Sequence, residues 1–163
     1  MSERDERIGA WINLVQVDRV VQESLGQRLE DGVGVSLAEH ELLWRLAASP
    51  ERKERMNDLS RLMLLSKSGV TRLVDRLERE KLVARGSCET DRRVVYAQIT
   101  NAGQRILAKA QPIFDAELET SFSRHLNDVD LRTLRRALRK LLEGNDAWQD
   151  ERCQPTLEMP AVV

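Results

Sequence analysis

Between Asn57 and Thr100 the chain passes from helical to strand periodicity within one short stretch, and this order constrains the fold more than any other feature. Asn57-Asp58-Leu59-Ser60-Arg61-Leu62 reads as a short helix, with a capping residue at its start and apolar positions at Leu59, Leu62 and Met63. Ser66 follows the apolar run Leu62-Met63-Leu64-Leu65. It has the chemistry of an N-cap, a hydroxyl that accepts from a free backbone N–H of the first turn. Val70, Leu73, Val74 and Leu77 then recur at i, i+3, i+4 and i+7, which gives a second helix one apolar face. Two short helices joined by a tight turn fit a helix-turn-helix, although this turn lacks the frequent glycine. Two strand candidates follow, Leu82-Val83-Ala84-Arg85 and the β-branched Val94-Val95-Tyr96-Ala97-Gln98-Ile99. Gly86 to Arg93 joins them as a basic hairpin. The expected class is mainly α with a small β-hairpin wing, a winged helix-turn-helix over residues 36–100.

The polar face of the second helix carries Lys67, Ser68, Thr71, Arg72, Asp75, Arg76 and Arg79. Alone, such a face reads as solvated surface. The hairpin behind it changes the reading, because a helix and an arginine-tipped hairpin can engage adjacent grooves of a DNA duplex. The first residues of a recognition helix meet base edges, so Ser68, Thr71 and Arg72 are candidates there. Ser66, Lys67 and Arg76 complete the expected contact set on this helix. Gly69 adds no bulk at the helix start, where free N–H groups favour a phosphate. At the hairpin tip, Arg92 and Arg93 suit a narrow minor groove, and Asp91 is placed to orient Arg93. Residues 45–93 hold thirteen basic and eight acidic side chains, a net +5 within a chain of net charge −1. Clustered charge on one module is the footprint that matters for nucleic acid, and the overall balance predicts strongly salt-sensitive binding.

The run Ser66-Lys67-Ser68-Gly69-Val70-Thr71-Arg72-Leu73-Val74-Asp75-Arg76-Leu77, then Asp91-Arg92-Arg93, then Ile99-Thr100-Asn101-Ala102-Gly103, resembles the MarR-type (multiple antibiotic resistance) regulators. The resemblance spans roughly residues 8–143, with Ile99 in place of the family's usual leucine. It implies a transcriptional regulator, usually a repressor, in which the terminal helices of two chains interlock. It also implies a crevice for a small aromatic or phenolic ligand between the dimer-forming helices and the DNA-binding lobe. Trp11, His40 and Trp44 are candidates to line that crevice, and filling of the core is the plainer role for both tryptophans.

The flanking segments agree. Ile8, Trp11, Ile12, Leu14, Val15, Val17, Val20, Val21 and Leu25 give a long helix with an apolar face too wide for one edge of a small domain. Gly32-Val33-Gly34 ends it, Ser36 caps the next helix, and Pro50 stops that one. Beyond Thr100 a long amphipathic helix contains Pro112, which predicts a kink or break. A last helix starts near Asn127, with Gly144 as its C-cap. Residues 8–30 and 101–143 are therefore expected dimerisation helices, and a homodimer would read a pseudo-palindromic double-stranded operator. Residues 144–163 are expected to form a flexible tail, with Trp148 within it docking on the body.

Enzyme signatures are missing: the chain holds no glycine-rich phosphate loop, HExxH, CxxC or nucleophile elbow. His40 and His125 are scattered relative to Cys88 and Cys153, so neither a metal nor another cofactor is expected. Two cysteines are too few for a disulfide framework. Cys88, near Arg85 and Arg92, is a redox-sensor candidate, although it lacks an evident resolving partner. No apolar run approaches the roughly 20 residues of a membrane span, and the polar start lacks a signal-peptide core, so a cytoplasmic location is expected. Oxidation sensing without a small ligand, or a protein-interaction module using the charged helix face, are the alternative readings.

Overall fold

The computed structural model describes residues 2–87 and 94–150 of the 163-residue chain. Its first helix, α1 (Glu3–Val33), starts earlier than the apolar pattern alone predicts, because Ser2 and Asp5 form a reciprocal capping box. Gly34 ends it in the left-handed conformation, φ 72°, as the glycine pair predicts. Ser36 and Glu39 form a second capping box that launches α2 (Leu37–Ala48), which stops just before Ser49-Pro50. The next element, strand β1 (Lys53–Arg55), was not expected. Its three charged residues carry no strand signal; β1 exists as an edge on a stronger neighbour.

Helix α3 (Met56–Leu62) begins one residue before the expected cap. Asn57 is therefore inside the helix, and Arg55 occupies the cap position without capping the helix through its side chain, which donates to the Tyr96 hydroxyl instead. The turn to α4 (Lys67–Arg79) solves its missing glycine by placing Leu64 at φ 55° with its side chain in solvent. Strands β2 (Val83–Ser87) and β3 (Val95–Ile99) are antiparallel, with Val83 opposite Ile99 and Ser87 opposite Val95. Strand β1 pairs on the other edge of β3, Arg55 opposite Tyr96, which gives the order β1-β3-β2.

Helix α5 (Asn101–Ser121) runs unbroken through Pro112, so the break allowed by the sequence does not occur. Its packing against α1 and α2 holds it together despite the lost N–H. A single 3-10 turn, Ser123–His125, leads to α6 (Asp128–Gly144), capped by Asn127. Gly144 is the last helical residue, and Asn145 is the C-cap in its place. Trp148 packs on α6, with the Arg139 guanidinium 4.5 Å from its ring centroid.

One core joins these elements. Leu29, Leu43, Leu46, Val70, Leu77 and Leu107, from α1, α2, α4 and α5, belong to a single buried cluster. Buried Glu117 of α5 fastens α1, accepting from the Ser24 hydroxyl and pairing with Arg28 at 3.2 Å. The first half of α1 lies outside this core, with Trp11, Ile12, Val17 and Val20 exposed. Helix α6 buries no residue, and Val129 and Leu141 face solvent. Among the described residues, no helix is long and apolar enough to cross a membrane.

Candidate nucleic-acid interface

Helix α4 is built to stand out from the body. Val70, Val74 and Leu77 are fully buried and anchor one face. Ser66, Lys67, Ser68, Thr71, Arg72 and Arg76 are all exposed. The Gly69 N–H donates to Ser66 Oγ at 3.0 Å, so the expected N-cap is formed. A Cβ on Gly69 would lie 3.2 Å from that Oγ, so the glycine also protects the cap. Ser66 Oγ lies 3.1 Å from Ser68 Oγ, and Thr71 Oγ1 donates to the Lys67 carbonyl at 2.8 Å. These bonds hold the hydroxyls at the helix start, where the peptide dipole is positive and free N–H groups attract an anion.

The wing is tied to this helix by a residue that the sequence did not single out as a contact. Arg85 of β2 reaches back to α4, with Nη1 at 2.5 Å from Asp75 and 2.7 Å from Glu78. Its Nη2 donates to the Thr71 carbonyl at 3.2 Å. Thus the carboxylates that interrupt the basic face of α4 are spent on orienting the hairpin stem. The Arg85 charge is balanced by them. Cys88, Asp91, Arg92 and Arg93, together with residues 151–163 of the tail, lie outside the described residues.

A second missed residue is Glu39, 1% exposed. Its Oε2 accepts from the Ser36 N–H and hydroxyl at 2.7 and 2.9 Å. Its Oε1 lies 2.8 Å from Arg76 Nε, an ion pair without the alignment of a hydrogen bond. Arg76, expected among the DNA contacts, is thereby tied to the interior. The Ser-x-x-Glu spacing at 36–39 was the available signal for a cap, but nothing local pointed to Arg76.

The three crevice candidates occupy different surroundings. His40 is buried, and its ring stacks on Phe114 of α5 with centroids 4.7 Å apart. Burial holds its pKa below the ordinary value, against the opposing pull of Gln111 and Asp115. Gln111 lies near the imidazole without hydrogen-bonding Nε2, which has no hydrogen-bond partner among the described residues. Trp44 is half-buried against the core, whereas Trp11 is 66% exposed on α1. Among the described residues, no three His, Cys, Asp or Glu side chains cluster as a metal site.

Comparison with known proteins fits this geometry. The profile of the MarR family matches residues 33–94. YkoM, an uncharacterised HTH-type transcriptional regulator of Bacillus subtilis, is 30% identical over 129 residues, covering 76% of this chain and 80% of YkoM. MhqR, another HTH-type transcriptional regulator of Bacillus subtilis, is 39% identical over 61 residues; the match spans 37% of this chain and 42% of MhqR. Sco3205, a MarR family transcriptional regulator of Streptomyces coelicolor solved in complex with DNA, shares the fold. Its TM-score is 0.82 at 24% identity, covering 88% of this chain and 89% of its own.

Proposed function

Because the chain belongs to the MarR family of transcriptional regulators, we propose that it is a homodimeric DNA-binding repressor acting on a pseudo-palindromic operator in the cytoplasm. The observation that carries the reading is the start of α4. Its polar residues stand exposed, its opposite face is locked in the core, and the wing stem is clamped alongside. In this reading α4 enters the major groove through Ser68, Thr71 and Arg72, while Arg92 and Arg93 enter the minor groove. The unpaired apolar faces of α1 and α6 meet their copies in a second chain, which sets two α4 helices about 34 Å apart, one turn of the duplex. That Sco3205 was solved with DNA supports this use of the fold.

A small aromatic or phenolic ligand near His40, Trp44 and Trp11 modulates binding in the same proposal. The unpartnered Nε2 of buried His40 supports it, because a phenol hydroxyl or a carboxylate would supply the missing hydrogen bond. A ligand that binds the operator-incompetent spacing more tightly shifts the population away from DNA.

Fluorescence anisotropy with DNA from immediately upstream of the gene, against scrambled DNA at two salt concentrations, tests the reading. Selective binding of one dimer per site, weakening steeply with salt, is expected. Arg93→Ala should then lose about 1–3 kcal/mol of affinity. Equal affinity for both DNAs would refute sequence-specific regulation, and no binding at either salt would refute an operator immediately upstream of the gene.

A further inference from the structure

Arg76 belongs to the basic face of α4, yet two observations separate it from the other exposed residues. It lies in the last turn of the helix, whereas base edges are met by the first residues of a recognition helix. Its Nε is also already engaged by two carboxylates, Glu39 at 2.8 Å and Glu80 at 3.5 Å. Glu39 is the unusual partner. One oxygen is fixed to the start of α2 by Ser36, and the other has no hydrogen bond, leaving Arg76 as its compensation. A buried carboxylate left without its cation is strongly unfavourable, so the pair resists separation. The next residue of α2, His40, faces α5 and stacks on Phe114. Consecutive residues of one helix turn thus touch the two elements on either side of it.

We infer that Arg76 is a positioning residue: its ion pair with Glu39 fixes α4 against α2 and so sets the pose of the DNA-reading face. The inference rests on the proposed DNA-binding reading and assigns Arg76 a different role within it. A phosphate contact contributes to the counterion release that makes binding salt-dependent, whereas an internal ion pair does not.

The test uses the full chain and measures operator affinity at several salt concentrations for wild type, Arg76→Gln, Glu39→Gln and the double variant. All measurements are made well below each unfolding midpoint. Each single change should weaken binding about tenfold, and the double should be no weaker than the worse single, as for residues that act as a unit. The slope of log affinity against log salt should stay at the wild-type value. A slope reduced by about one in Arg76→Gln, with Glu39→Gln unaffected, would make Arg76 a phosphate contact and overturn the inference. A lowered unfolding midpoint with unchanged affinity per folded protein would overturn it too, leaving only a stabilising pair. If Arg76→Gln does not fold, Glu39→Gln decides alone: loss of affinity at constant slope supports the inference, and no loss refutes it. A wild-type protein that binds no DNA fails the underlying reading first, and the inference falls with it.

Discussion

Replacing Gly103 with alanine should destabilise the junction on which the wing, the recognition helix and α5 converge. An added Cβ would sit 2.2 Å from the Leu82 carbonyl oxygen and 2.8 Å from Ile99 Cγ1. The obstacle is backbone, so no side-chain rotation relieves it. The carbonyl must withdraw by about 0.8 Å to reach even the 3.0 Å that real Cβ atoms respect. That same carbonyl accepts from the Thr100 N–H at 3.0 Å and from Thr100 Oγ1 at 3.1 Å, the bonds that hold β2 to the start of α5. Overpacking costs about 1–3 kcal/mol and each weakened hydrogen bond about 1 kcal/mol. Alanine recovers about 1 kcal/mol of helix propensity. The net expectation is about 2–4 kcal/mol of destabilisation, or roughly 4–16 °C in Tm for a chain of this size. Thermal unfolding by circular dichroism at fixed protein concentration measures it. Gly26→Ala is the opposite control: the space around it is open, and it sits inside a helix, so its Tm should rise slightly. A Gly103→Ala protein with the wild-type Tm or a higher one would refute the steric reasoning.

Three further outcomes are expected. His40 is buried with its pKa lowered by desolvation, so the unfolded chain takes up its proton first as pH falls; its contribution to stability is complete above about pH 6.5 and declines below it. His40→Phe should flatten the fall in Tm between about pH 7 and 5, and parallel curves for the two proteins would exclude His40 as the source. Arg85→Ala leaves Asp75 and Glu78 unpaired on α4 and frees the wing stem, so operator affinity measured by anisotropy should fall about tenfold or more. Unchanged affinity would mean that the clamp does not set the wing. Val20→Asp puts a charge on an exposed part of α1 and should spare the monomer fold while splitting the proposed dimer. Sedimentation equilibrium that still finds a dimer would place the interface elsewhere.

The sequence alone determined the order of elements and the character of α4. Those rest on local physics that a linear reading captures: Ser36, Ser66 and Asn127 cap the helices that follow them, and the spacing of Val70, Val74 and Leu77 assigns the buried face. It also carried the reason for Gly103 without revealing it, since only the fold brings the Leu82 carbonyl against that position. Tertiary structure decided everything that depends on a partner distant in sequence. Strand β1 has no propensity of its own and is made by β3; α5 crosses Pro112 because α1 and α2 support it. Arg76 and Arg85 look alike in sequence as basic residues of a DNA-binding module. Their separate roles follow from Glu39, thirty-seven positions before Arg76, and from the two carboxylates that α4 turns toward β2. A charge's role is set by the charges the fold places within a few ångströms of it, and sequence spacing does not encode that distance.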